Sequence, residues 1–94
     1  MPRPIRCRQI GELPMFRSFS PDDVEADSKV TMTVDEYEVL RLLDHRGLTQ
    51  EECASRMNVS RTTVTAIYES ARKKTADMLV NGRRLLIVGG NYHF

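Results

Sequence analysis

The sequence predicts a mainly α-helical domain: three helices, the last two forming a helix-turn-helix, with short N- and C-terminal β-strands. Three observations predict it. Capping residues recur at Thr33, Thr49 and Ser60, each just ahead of apolar residues at helical spacing. Residues that stop a helix follow each pattern, at Gly47, Asn58 and Asn81-Gly82. The second and third patterns are separated by about three residues, which is helix-turn-helix spacing. A chain of 94 residues has room for one domain, divided here into a strand and irregular arm (1–31), a helical core (33–81) and a strand and tail (83–94).

In the arm, Ile5 to Ile10 alternates apolar residues with arginine and reads as a short strand with a basic face. Gly11 and Pro14 end it. Pro21 with Asp22 and Asp23 marks a turn, and the acidic stretch up to Lys29 reads as a surface loop.

The first helix starts at Thr33. Its hydroxyl can accept from the Glu36 amide while the Glu36 carboxylate reaches back to the cap. Met32 and Tyr37 stand at the flanking staple positions. Tyr37, Val39, Leu40, Leu42 and Leu43 make a broad apolar face, and Gly47 supplies a left-handed stop.

The pattern repeats with Leu48 as staple, Thr49 as cap, Glu52 as box partner and Cys53 as staple mate. It predicts a helix from Gln50 to about Met57. Asn58 tolerates positive φ better than most residues. A third start follows, with Val59 as staple, Ser60 as cap and Val64 as staple mate. Val64, Ile67, Tyr68, Ala71, Thr75, Met78 and Leu79 then recur every three or four residues. This helix, from Arg61 to Asn81, is roughly 30 Å long at about 1.5 Å per residue. Arg84 to Val88 reads as a strand closed by Gly89-Gly90. Its candidate partner is the segment Ile5 to Ile10, within one chain or between two chains.

The residues of the helix-turn-helix are of the required types. Ala54 is the small residue where the second helix crosses the first. Asn58 is the left-handed residue of the turn. Cys53, Met57, Val59, Val64 and Ile67 are the five apolar closures. Arg61, Thr62, Thr65 and Ala66 then point away from the Val64–Ile67 face, flanked by Thr63 and Glu69. In this motif such a face enters the major groove, where arginine can pair with guanine and threonine can touch a thymine methyl. Arg72, Lys73 and Lys74 lie one to two turns later, at phosphate rather than base positions. Thr49, Gln50 and Ser60 stand at helix starts, where free amides favour phosphate.

Each of these has a plainer reading. The run from Arg72 to Lys74 is also what a solvated helix face looks like. Arg61 can pair with a neighbouring acid. Tyr37 and Tyr68 read as core. Arg3, Arg6 and Arg8 can reach phosphate or a minor groove, or simply keep a strand soluble.

The net charge of +1 hides an uneven distribution. Residues 1–17 hold four arginines and one glutamate; residues 18–40 hold one lysine and seven acids; residues 61–94 hold six basic groups and two acids. Basic ends with an acidic middle suit one face turned to phosphates, or a dimer that pairs unlike segments. Cys7 and Cys53 are far apart, with no CxxC pair, and His45 and His93 are isolated, so no metal or cofactor is expected. No nucleophile–base pair or phosphate loop points to an enzyme. The longest apolar run, Leu85 to Val88, cannot span a bilayer. The basic N-terminus lacks the apolar stretch of a signal peptide, which predicts a cytoplasmic location.

The runs Met32-Thr33-Val34-Asp35-Glu36-Tyr37-Glu38, Gly47-Leu48-Thr49-Gln50-Glu51-Glu52 and Arg56-Met57-Asn58-Val59-Ser60-Arg61-Thr62-Thr63 carry a family resemblance. So do Glu69-Ser70-Ala71-Arg72-Lys73-Lys74, the opening Pro2-Arg3-Pro4 and the closing Gly89-Gly90-Asn91-Tyr92. The chain resembles a small, uncharacterised family of bacterial and archaeal predicted DNA-binding proteins. Their helix-turn-helix is similar to region four of sigma-seventy-type RNA polymerase factors, in the winged-helix-like superfamily. The resemblance implies contact with double-stranded DNA through Ser60 to Lys74 and a role in transcription regulation. Some relatives carry extra cysteines after the position of Cys7; here Gly11 and Glu12 stand there. Some carry a second, cofactor-binding domain, which is not expected in these residues.

The expectation is a sequence-specific DNA-binding protein, a transcription regulator acting as a homodimer on two half-sites, with the terminal strands joining the two chains. The alternative is an interaction module that docks on RNA polymerase or another protein through the same fold.

Overall fold

The computed structural model describes residues 7–23, 25, 26 and 28–94. Among the described residues three helices and five short strands follow in the order β1 (Arg8–Gln9), β2 (Ser18–Phe19), β3 (Lys29–Met32), α1 (Val34–Leu40), α2 (Gln50–Met57), α3 (Arg61–Asn81), β4 (Arg84–Ile87) and β5 (Tyr92–His93). A turn of π-helix, Arg41–His45, extends α1. Arg46 N–H closes it on the Arg41 carbonyl at 2.9 Å.

The helix starts are locally encoded. Thr33 and Glu36 form a reciprocal capping box, as do Thr49 and Glu52. Ser60 accepts from the Thr63 amide at 3.1 Å. The stops are equally local: Gly47 has φ +74° and Asn58 has φ +55°, left-handed values that release the chain from helical continuation.

The strands pair differently from the sequence-based expectation. β4 is the centre of a three-stranded sheet, antiparallel to β2 and parallel to β3. β3 falls where the sequence reads as loop and staple; its Val30 and Met32 face inward while Lys29 and Thr31 face water. The basic N-terminal segment pairs instead with the tail, Arg8 opposite Tyr92 and Gln9 opposite His93 in a parallel two-stranded ladder. Ile5 and Arg6, expected in that strand, lie outside the described residues. The strands thus pair within one chain, and β4 has a neighbour on both edges.

The core joins all layers. Met32, Val34, Val39, Leu42, Cys53, Met57, Val64, Ala71 and Ile87 are buried, together with Ile10 and Leu85. Burial pushes the Cys53 thiol up to about 11, which keeps it protonated and inert near neutral pH. Sheet β2–β4–β3 seals one side of α3, and α1 seals another. Together they fix the direction in which the start of α3 projects.

Candidate nucleic-acid interface

The candidate interface is built where α2 and α3 meet. Residues 58–60 connect them. Val59 N–H donates to the Ala54 carbonyl at 3.0 Å, which holds the turn against α2. Ala54 is 7% exposed, so its small side chain lies within the helix crossing. Val64, Ile67 and Ala71 point inward from α3. The opposite side therefore faces water: Arg61, Thr62, Ala66, Glu69, Arg72 and Lys73 are exposed, while Thr63 and Thr65 are half-buried.

Arg61, Thr65, Gln50 and Glu51 form one cluster. Thr65 Oγ1 donates to Gln50 Oε1 at 2.9 Å, and Arg61 Nε donates to the same oxygen at 3.4 Å. Arg61 Nη1 pairs with Glu51 Oε1 at 3.0 Å. The plainer reading of Arg61, pairing with a neighbouring acid, is thus realised in the free protein. Glu51 is the member of this cluster that sequence reasoning missed. Its signal was present in the first turn of α2, where acids favour the helix N-terminus.

The two helix starts differ in charge. The first turn of α2 carries Glu51 and Glu52. Glu52 accepts from Thr49 N–H at 3.0 Å, and this bond, with that of the Thr49 hydroxyl, holds its carboxyl below the ordinary range. The Thr49 hydroxyl itself accepts from the Glu52 amide. The first turn of α3 carries no acid, only Arg61 among charged residues, so its amide dipoles face outward beside a cation.

Farther along α3, Arg72 lies 5.3 Å above the Tyr68 ring, and Tyr68 donates to Asp44 Oδ1 at 2.6 Å. That bond holds the Tyr68 hydroxyl above its ordinary value. Lys74 does not belong to the outward face, contrary to expectation. Its Nζ donates to Glu36 Oε1 at 2.7 Å, because residue 74 lies on the side of α3 that meets α1. Ser70 donates to the other Glu36 oxygen. Burial pushes the Glu36 carboxyl up, but bonds from Lys74, Ser70 and the Thr33 backbone outweigh it and hold it below the ordinary range. Arg8 pairs with Asp35 at 3.4 Å, which ties β1 to α1. Arg3 and Arg6 lie outside the described residues.

Among the described residues no three His, Cys, Asp or Glu side chains gather to hold a metal. None of the described helices is long and apolar enough to cross a membrane.

The family model described as "Protein of unknown function DUF134" matches residues 1–94. The chain belongs to this family. This DUF134 chain is 55% identical over 94 residues to a UPF0251 protein of Desulfitobacterium hafniense strain Y51, covering 98% of the chain and 75% of that relative. A UPF0251 protein of Caldicellulosiruptor bescii is also 55% identical over 94 residues, with 100% of the chain and 66% of the relative covered. One of Moorella thermoacetica is 47% identical over 95 residues, covering 99% of the chain and 64% of the relative. No solved structure matches the DUF134 chain.

Proposed function

We propose that this protein binds double-stranded DNA sequence-specifically, as a cytoplasmic transcription regulator, with α2 and α3 acting as a helix-turn-helix of the sigma region four type. One observation carries the reading. The left-handed turn at Asn58 and the buried Val64–Ile67 face leave the acid-free first turn of α3 pointing outward with Arg61, Thr62 and Ala66 exposed. A projecting helix start of this kind fits a major groove. In the bound state Arg61 exchanges its carboxylate partner for a guanine edge, and Thr62, Thr65 and Ala66 face neighbouring bases. Arg72 and Lys73 meet phosphate, as do Thr49, Gln50 and Ser60 through helix-start amides. Two chains acting together would supply the affinity that one short reading helix lacks.

A second reading rests on the acids in the same region. Glu51, Glu52 and Glu69 are exposed on α2 and α3, with Glu51 paired to Arg61, and a mixed-charge face suits a protein partner such as RNA polymerase better than a phosphate backbone. Selection of duplexes from a random pool followed by a gel-shift salt series separates the two. Enrichment of one motif, with affinity falling as salt rises, supports DNA reading. No shift at about 50 mM salt, where phosphate contacts are strongest, overturns it in favour of protein docking.

A further inference from the structure

The proposed DNA contacts on α3 run from Ser60 to Lys73, and the far end of that helix poses a separate problem. Leu79 is 71% exposed in its last turn. Phe19 of β2 is 46% exposed, and a hollow of about 250 Å³ runs between Phe19, Met78 and Leu79. This hollow adjoins a groove of about 750 Å³ floored by Met32, Leu40, Met78, Leu85 and Ile87. Small domains seldom leave adjoining apolar side chains in water unless something covers them.

We infer that a second copy of this chain covers this face, joining two molecules through the C-terminal turns of α3 and the Phe19 groove. Two features select that occupant. First, the patch holds both an apolar protrusion (Leu79, with Phe19 beside it) and apolar hollows. A two-fold contact needs both in one surface, because each chain must be knob and socket for the other. A small molecule filling the groove would leave Leu79 in water. Second, the groove rim carries both signs of charge. Glu12 is exposed, its side chain touching Arg41 at 3.7 Å, while Arg46 and His45 have no side-chain hydrogen bond or ion pair among the described residues. A self-contact can set Glu12 of one chain against Arg46 of the other, and the reverse.

One consequence rests on the DNA reading proposed above. From Thr62 to Val80 the helix is roughly 27 Å long. Two such helices meeting at their last turns can hold their starts about 34 Å apart, the spacing of half-sites one helical turn apart.

Light scattering on the full chain from about 1 to 200 µM is the direct test. The expected mass rises from 10.8 kDa toward twice that value. Leu79→Asp is expected to remain at the single-chain mass throughout, with an unchanged helical circular dichroism spectrum. As a second readout, Leu79→Cys in a Cys7→Ser background is expected to give a covalent dimer under mild oxidation. A wild-type chain that stays single at every concentration overturns the inference and leaves the face to another occupant. So does a dimer that Leu79→Asp leaves intact and Leu79→Cys cannot trap. The outcomes for DNA are separable: a single chain that still selects a duplex motif removes only this inference, and a dimer that ignores duplex DNA removes only the reading proposed above.

Discussion

Glu36 closes the N-terminus of α1 and, with the same carboxylate, accepts a 2.7 Å hydrogen bond from Lys74 of α3. One buried group thus starts one helix and locks it to another. Lys74→Ala is expected to cost about 1–3 kcal/mol, because it removes the charged donor to a buried acceptor. Glu36→Ala should cost more, since it also removes half of the capping box. Urea unfolding of both variants checks the order.

The same carboxylate makes stability depend on acid. Its folded pKa lies below the ordinary value of 4.5, so the unfolded chain takes up a proton first as pH falls. The stabilisation is therefore full above about pH 4.5 and is lost as pH falls through the lowered folded value. Unfolding midpoints measured from pH 7 down to 3 should show a fall that is smaller in Glu36→Gln. An equal fall in the two proteins would rule out Glu36 as its source.

At Asn58 the backbone sits at φ +55°, where a branched side chain is strained. Asn58→Val is expected to lose about 1–2 kcal/mol, and Asn58→Gly little. Thermal melts that rank the two variants the other way would show that the turn does not need this conformation.

Gly90 has φ +110°, and a Cβ there would lie 2.5 Å from Asp35 Oδ1. Gly90→Ala should cost about 1–3 kcal/mol through backbone strain and displacement of the tail from the start of α1. Faster amide exchange at Val34, whose N–H is held by the Gly89 carbonyl at 2.9 Å, is the local signature to measure.

For DNA, Arg61→Ala should weaken a selected site by about 1–3 kcal/mol more than random duplex, while Arg72→Ala weakens both alike and lowers the salt slope by about 1. Glu51→Gln frees Arg61 from its 3.0 Å partner and removes a negative charge beside the backbone, so binding should tighten. Titration of labelled duplex at fixed salt measures all three. Unchanged discrimination in Arg61→Ala would move the reading face elsewhere.

Much of the architecture was written locally. The boxes at Thr33–Glu36 and Thr49–Glu52, the cap at Ser60 and the left-handed Asn58 each involve residues three or four apart, so one stretch of sequence contains both partners. The inward Val64–Ile67 face follows from helical periodicity alone, and with it the outward side of Arg61, Thr62 and Ala66. The family resemblance added the expectation of DNA contact to that geometry.

The sequence by itself determined where the three helices begin and turn and which side of α3 faces outward, because caps and periodicity act within a few residues. Tertiary structure alone decided the partners of β4, since a strand as short as Ser18–Phe19 has no period to read and β3 joins β4 across the whole helical core. It also took Lys74 out of the basic run, across 38 residues to Glu36, because burial of that carboxylate requires a cation that only the packing of α1 on α3 brings near. Likewise the pairing of Arg61 with Glu51 depends on the angle at which α3 leaves the turn, which no single helix contains.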